Sequence, residues 1–276
     1  MTELSIKLLL DTTTANVRDV VCDGGCRHRS SVECAQSTFL VFPYRGVYVR
    51  HVGRNESVAE SNQVVFFNKG EEYRISHPVE GGDACLSVGV AEHWLDELTP
   101  KEHVRKSEEL AFRRQRLRID ARSQALVATL RYSLDRKVAE PLEGETLTLT
   151  LIRRALGERT SHAAGASAGR QKLVDRAKLL LSSDPARRWT LSEIGAAAGV
   201  SPVYLTQVFQ QVEGLPVYRY HLRLRLARAL DLLSQYDDLT RLSMDLGFSS
   251  HSHFTAAFRQ AYGRTPAAFQ RSVHLR

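Results

Sequence analysis

Three thiols and an imidazole stand within thirteen residues of one another, at Cys22, Cys26, His28 and Cys34, while Cys85 stands alone on a strand-like run. Thiolate sulfur and imidazole nitrogen bind borderline-soft metals, and three cysteines with one histidine form an accepted structural zinc set. The same thiols have a second use. Arg27 and Arg29 lie beside them, and neighbouring guanidinium groups favour the thiolate that reacts with oxidants and electrophiles. A third reading is ordinary reduced cysteine in a reducing compartment. The C-x3-C spacing lacks a second C-x-x-C pair, so zinc, a redox effector acting on thiols, and inert cysteine all stay open.

A second set of residues suits contact with base edges. Residues 190–214 read TLSEIGAAAGVSPVYLTQVFQQVEG, and residues 238–263 read DLTRLSMDLGFSSHSHFTAAFRQAYG. Each has a short amphipathic helix, a turn glycine, a serine cap and a second helix with an apolar stripe, which is a helix-turn-helix written twice. Thr190 with Glu193 makes a capping box, so a helix starts at Leu191 and buries Leu191, Ile194 and Ala198 until Gly199 ends it. Ser201 caps the next helix and Pro202 takes its first position, where no amide hydrogen is missed. Leu205, Val208 and Phe209 then face inward and leave Val203, Thr206, Gln207 and Gln210 outside. In the second copy Asp238 caps a helix burying Leu239, Leu242 and Leu246, and Ser249 caps the following one. There Phe254, Ala257 and Phe258 point inward, leaving Ser250, His251, Ser252, Thr255, Ala256 and Arg259 outside.

Between the copies, Pro216 opens a helix to about residue 234 with Leu222, Leu226, Leu230 and Leu233 as one apolar stripe. At 1.5 Å per residue it spans roughly 28 Å, close to the roughly 34 Å between successive major grooves on one face of DNA. Charge points the same way. The chain carries 38 Lys+Arg against 31 Asp+Glu; residues 170–276 hold 15 of the basic and 8 of the acidic groups, so the first 169 residues are neutral. All of the net +7 therefore lies in the segment proposed to meet phosphates.

Residues 171–271 resemble the AraC/XylS family of bacterial transcription regulators, most specifically in GFSSHSHFTAAFRQAYGRTPAAFQR, residues 247–271. The motif combines a turn Gly-Phe, a serine, Phe254, Phe258, Gly263, Thr265-Pro266 and a closing aromatic-x-Arg at Phe269 to Arg271. The resemblance implies seven helices, double-stranded DNA as partner, and a monomer that reads two groove segments. It also implies RNA polymerase as a further partner, with the choice between activator and repressor left open. Family members often carry arginine where Gln207 and Ala256 stand, so guanine contacts cannot be carried over. Gln207 suits bidentate pairing with adenine, and Ala256 a thymine methyl.

The first half is built from short β-branched and aromatic runs: 37–42, 46–52, 57–60, 63–68, 72–77 and 84–90, after an extended entry in residues 1–20. Turn signals every eight to twelve residues indicate a sandwich or small barrel. Before an AraC-type module this rhythm resembles the cupin-like jelly roll used as an effector domain. His51 and His77 are isolated and no His-x-His occurs there, which argues against a metal-dependent cupin enzyme. A short helix is expected at 91–98, and the arginine-rich segment 113–118 reads as a solvated face or interdomain contact. Residues 121–138 and 143–158 predict an antiparallel helix pair, which either forms a homodimer contact or covers an open face of the β-domain. Residues 161–170, SHAAGASAGR, read as a flexible linker.

The expected fold is α+β with two domains: residues 1–160 a cupin-like jelly roll with a helix pair, and residues 171–276 an all-α double helix-turn-helix. No apolar run is long enough for a membrane span and the N-terminus lacks an export signal, so a cytoplasmic, nucleoid-associated protein without membrane contact is expected. The leading reading is a non-enzymatic regulator whose first domain senses an unknown small-molecule or redox effector. The competing one is an enzyme: relatives of this module are fused to alkyl-transfer repair domains with cysteine acceptors, although no repair-domain pattern surrounds Cys22, Cys26 and Cys34.

Overall fold

The apolar residues of the first half fill consecutive rather than alternate positions because one sheet is buried on both faces. The computed structural model describes residues 4–25, 27–105, 110–157 and 167–274, and the chain divides into two compact units, Met1–Ser161 and His162–Arg276. In the first, β1 (Leu4–Asp11), β2 (Ala15–Cys22), β4 (Phe39–Gly46), β7 (Gln63–Phe67), β9 (Asp83–Val90) and β10 (Arg116–Arg118) form one antiparallel sheet in the order β1-β2-β9-β4-β7-β10. The second sheet, β3-β8-β5-β6, is built from β3 (Glu33–Cys34), β5 (Tyr48–Val52), β6 (Asn55–Ala59) and β8 (Glu72–Ser76).

Side chains alternate across a strand, and the larger sheet divides its residues accordingly. Leu40, Phe42, Val64, Phe66, Leu86 and Val88 join one core with Val127, Leu130, Leu151 and Ile152. These last four belong to α2 (Ala121–Asp135) and α3 (Pro141–Leu156). Val41, Val65, Phe67 and Cys85 join a second core with Tyr48 and Ala59 of the other sheet. The result is three layers of helix pair, sheet and sheet, the cupin-like β-domain expected. The inward face of the helix pair is thus spent on covering the sheet. Leu95 of α1 (Glu92–Leu98) joins the same core.

The arginine-rich segment departs from its expected solvated state. Arg113 and Arg114 are exposed, but residues 116–118 form β10 against β7, with Arg116 opposite Val65. Arg116 is buried and its guanidinium donates to the Val58 carbonyl. The Arg-Leu-Arg alternation that buries Leu117 is the signal for this strand.

The second unit contains seven described helices: α4 (Ala168–Ser183), α5 (Leu191–Ala198), α6 (Pro202–Glu213), α7 (Val217–Leu232), α8 (Leu239–Asp245), α9 (His251–Tyr262) and α10 (Pro266–His274). The Ser167 side chain accepts from the Arg170 amide and caps α4, so helix begins inside the stretch expected as a linker; residues 161–166 lie outside the described residues. Ile194, Leu205, Val208 and Phe209 share one core with Val217, Tyr220 and Leu224 of α7. Leu191 was expected there but is 43% exposed, because the first position of a short helix overhangs its core.

α7 is buried along two stripes rather than one. Val217, Tyr220 and Leu224 serve the first helix-turn-helix core. Leu226, Ala229, Leu230 and Leu233 are buried as well, at positions that one apolar stripe cannot contain. A helix packed on two sides separates the two reading units as a filled spacer, about 24 Å long for its 16 residues.

Candidate nucleic-acid interface and β-domain cavity

Both helix-turn-helix units are set by local hydrogen bonds. The Glu193 amide donates to Thr190 Oγ1 at 3.2 Å and the Thr190 amide donates to Glu193 Oε2 at 2.8 Å, completing the capping box. Ser201 Oγ accepts from the Tyr204 amide at 3.3 Å and starts α6. Its inner residues are in the core, while Ser201, Val203, Gln207 and Gln210 are exposed and Pro202 and Thr206 half-buried. The Thr206 hydroxyl donates to the Val203 carbonyl at 2.8 Å, so its acceptor lone pairs face outward rather than its proton.

In the second unit the cap falls one residue later than expected. Ser250 Oγ accepts from the His253 amide at 3.1 Å, making His251 the first residue of α9. Ser249 instead lies 3.1 Å from His253 Nδ1 through its hydroxyl. His253 packs edge-on against Phe248, with ring centroids 5.5 Å apart. His251, Ser252, Ala256 and Arg259 are exposed and Thr255 half-buried, whereas Phe254, Ala257 and Phe258 are buried. Each recognition helix therefore shows a mixed polar and small-residue strip to solvent, above a closed apolar face.

Sequence reasoning missed the group that ties the two units together. Arg225, on α7, donates to the carbonyls of Pro185 (2.7 Å), Arg187 (2.9 Å), Gly247 (3.2 Å) and Ala186 (3.3 Å). The first, second and fourth of these belong to the loop before α5; Gly247 is the turn of the second unit. At Gly247, φ is +75° and an added Cβ would lie 1.9 Å from the Ala186 oxygen. Only glycine lets these backbones meet. Elsewhere, Lys178 and Glu213 form a fully buried ion pair at 2.5 Å between α4 and the end of α6.

Within the first unit, a cavity of about 440 Å³ opens between the two sheets. Alternate residues Arg18, Val20 and Cys22 of β2 and Asp83, Cys85 and Ser87 of β9 line it on one side, with Tyr48 and Ile75 of the other sheet and His77 just after β8. Burial, then the neighbouring Asp83, pushes the Cys85 thiol well above the ordinary thiol range, and Cys85 Sγ donates to Asp83 Oδ2 at 2.8 Å.

Among the described residues, Cys22, His28 and Cys34 form no group of metal-ligand spacing. Cys26 lies outside the described residues; Cys34 is exposed on β3, and His28 is exposed in the loop before it. Cys22 ends β2 and is grouped instead with His77 and Asp83, their ligating atoms lying within 4.8 Å of one another. β2 pairs with β9, which places Cys22 opposite Asp83. His51, likewise, is buried against Ser76 Oγ at 2.8 Å.

A family model described as a helix-turn-helix domain matches residues 194–272, across both helix-turn-helix copies. A probable transcriptional regulator, LumQ of Photobacterium leiognathi, is 24% identical over 84% of this chain and 92% of its own length. A putative AraC-like transcription regulator of Streptomyces antibioticus is 26% identical over 69% of this chain and 62% of its own. An HTH-type transcriptional regulator of Haemophilus influenzae, of uncharacterised role, is 24% identical over 47% of this chain, which spans only 44% of that relative. Among the described residues no helix is long and apolar enough to cross a membrane. Residues 194–272 thus form a helix-turn-helix domain, and the chain is similar to transcriptional regulators, one of them described as AraC-like.

Proposed function

We propose that α6 and α9 enter successive major-groove segments of one DNA face, and that the β-domain senses an effector that alters how the protein acts there. The observation that carries the first part is the exposure of Val203, Gln207, Gln210, His251, Ser252, Ala256 and Arg259 on helices whose opposite faces are closed. Gln207 is assigned to adenine and Ala256 to a thymine methyl. Ser201, Pro202, Thr206, Ser249, Ser250 and Thr255 border the same strips, where backbone amides at the two helix starts hold phosphates. Arg259 is assigned to a phosphate.

The cavity between the sheets supports the second part, since about 440 Å³ lies in the range of small-molecule sites. Activation through contact with RNA polymerase, a homodimeric assembly and a cytoplasmic, nucleoid-associated location belong to the same proposal. Selection of bound duplexes from random DNA tests it. Two protected segments one helical turn apart are expected; Gln207→Ala changes base preference at one position, and Arg259→Ala weakens all sequences alike and lowers the salt slope by about one. A single protected segment, or two variants with unchanged binding at moderate salt, refutes the assignment.

A further inference from the structure

The cavity wall contains a set of donors that the DNA-reading function leaves unused. His77 Nε2 lies 2.6 Å from Asp83 Oδ1, and the Cys22 ligating atom is within 4.8 Å of both residues' donors. His77 and Asp83 are 3% and 7% exposed. The second ring nitrogen of His77, Nδ1, is buried without a hydrogen-bond partner. A thiolate, an imidazole and a carboxylate are together the donor types of a borderline-soft divalent ion.

The backbone around this trio is built to bring it together. Cys22 is directly opposite Asp83 at the last register pair of β2 and β9, so the two side chains leave the same face of the sheet. Gly82, at φ +65°, makes this possible: a Cβ there would lie 2.0 Å from the Cys22 carbonyl oxygen. His77 follows β8 in the opposite sheet, and the segment from it to Asp83 crosses between sheets. Three donors from three chain positions therefore converge on the cavity from both sides. Cys85 supports them from behind, its thiol proton held on the far oxygen of Asp83.

We propose that Cys22, His77 and Asp83 bind a divalent transition ion of the zinc class, with a fourth position open to the cavity. Zinc bonds of about 2.0–2.3 Å in a tetrahedron set donors roughly 3.3–3.8 Å apart. Shifts of about 1 Å from the present positions achieve this, with the ion taking the place of the Cys22 thiol proton and lying between His77 Nε2 and Asp83 Oδ1 while the imidazole proton moves to Nδ1. Binding releases the thiol proton, so affinity falls in acid. This site shares only Cys22 with the cluster Cys22, Cys26, His28 and Cys34, which makes the two separable.

The test uses full-length protein stripped with chelator and titrated with zinc and with cobalt(II). One ion per chain is expected, with a single thiolate-to-cobalt charge-transfer band. Cys22→Ser abolishes the band, and His77→Gln weakens zinc binding at least 100-fold. Cys34→Ser and His28→Ala, both at exposed positions, leave stoichiometry and affinity within twofold. Failure of the wild-type protein to take up either metal overturns the site whatever the variants do. Uptake abolished by Cys34→Ser or His28→Ala but kept in His77→Gln overturns it in favour of the other cluster. Circular dichroism of each variant, and Asp83→Asn as a second ligand change, separate lost binding from lost folding.

Discussion

Replacing Arg225 by methionine is expected to uncouple the two reading heads while leaving each one folded. Arg225 donates four hydrogen bonds, three to the loop at 185–187 and one to the turn at Gly247. A hydrogen bond from a charged donor contributes about 1.5–3 kcal/mol, but these four share one half-buried guanidinium that water reaches. We therefore assign the whole clamp about 2–3 kcal/mol. Methionine keeps the stem that packs along α7 and removes only the donors. The inner faces of α6 and α9 are filled by the buried Phe209 and Phe258, so both helices are expected to keep their cores.

The consequence for DNA follows from linkage. When one head is bound, the second binds at an effective concentration fixed by how firmly the two are held. Losing 2–3 kcal/mol of that constraint lowers affinity for a two-groove site about 30- to 140-fold, at 1.4 kcal/mol per decade. Affinity for a duplex carrying a single half-site should stay within twofold. Fluorescence anisotropy with the two duplexes, at one salt concentration, makes the comparison. A parallel loss on both duplexes means that Arg225 supports the heads rather than their spacing, and unchanged binding to both means that α7 and Gly247 hold the spacing alone. Either result refutes the clamp.

Other consequences concern the same unit. Gly247→Ala adds a left-handed penalty of about 1–2 kcal/mol to a clash with the Ala186 oxygen, for about 3 kcal/mol in urea unfolding; Gly263→Ala, at φ +79° with nothing near its Cβ, should cost only about 1. Lys178→Met strands the buried Glu213 carboxylate and should cost about 3–5 kcal/mol, much of it recovered in the double variant Lys178→Met/Glu213→Leu. Burial, and then Arg225, lowers the His221 imidazole to about 4. The folded state therefore prefers the neutral ring, and its contribution is complete above the unfolded value near 6.5 and lost as pH falls to about 4. After discounting for solvent at the ring the change is about 2 kcal/mol, and His221→Gln should flatten that part of the stability curve.

The helix-turn-helix units were legible because their determinants are local. Thr190, Glu193, Ser201, Asp238 and the apolar spacing of Leu205, Val208 and Phe209 act within four residues of their partners, and the caps form as read. The cap at Ser250 rather than Ser249 marks the limit of such reading: two adjacent serines offer the same side chain, and only the packing of His253 on Phe248 selects between them. Strand runs were legible for the same reason, since both faces of the larger sheet demand apolar residues. Strand partners were not. The trio of Cys22, His77 and Asp83 depends on pairing β2 with β9 and on the crossing between sheets, whereas the sequence places Cys22 nearest to Cys26 and His28. The double burial of α7 was hidden because two apolar stripes on one helix blur the period that identifies either.

The positive charge of the second unit also reads differently once its partners are known. All of the chain's net +7 resides in residues 170–276, yet several of those cations are used internally. Lys178 is buried on Glu213, Arg228 pairs with Asp231, and Arg187 pairs with Glu193 and lies over the Trp189 ring. Arg225 is consumed by carbonyls. Two of the α7 arginines, Arg225 and Arg228, thus build the spacer itself. Net charge draws the protein toward DNA over a Debye length, but site-bound phosphate contacts need cations whose hydrogens are free. Exposed Arg259, on the outer strip of α9, meets that condition and Arg225 does not. The same residue type therefore occupies two environments here: in the spacer Arg225 is bound by backbone carbonyls, and on the outer strip of α9 Arg259 stands exposed to solvent.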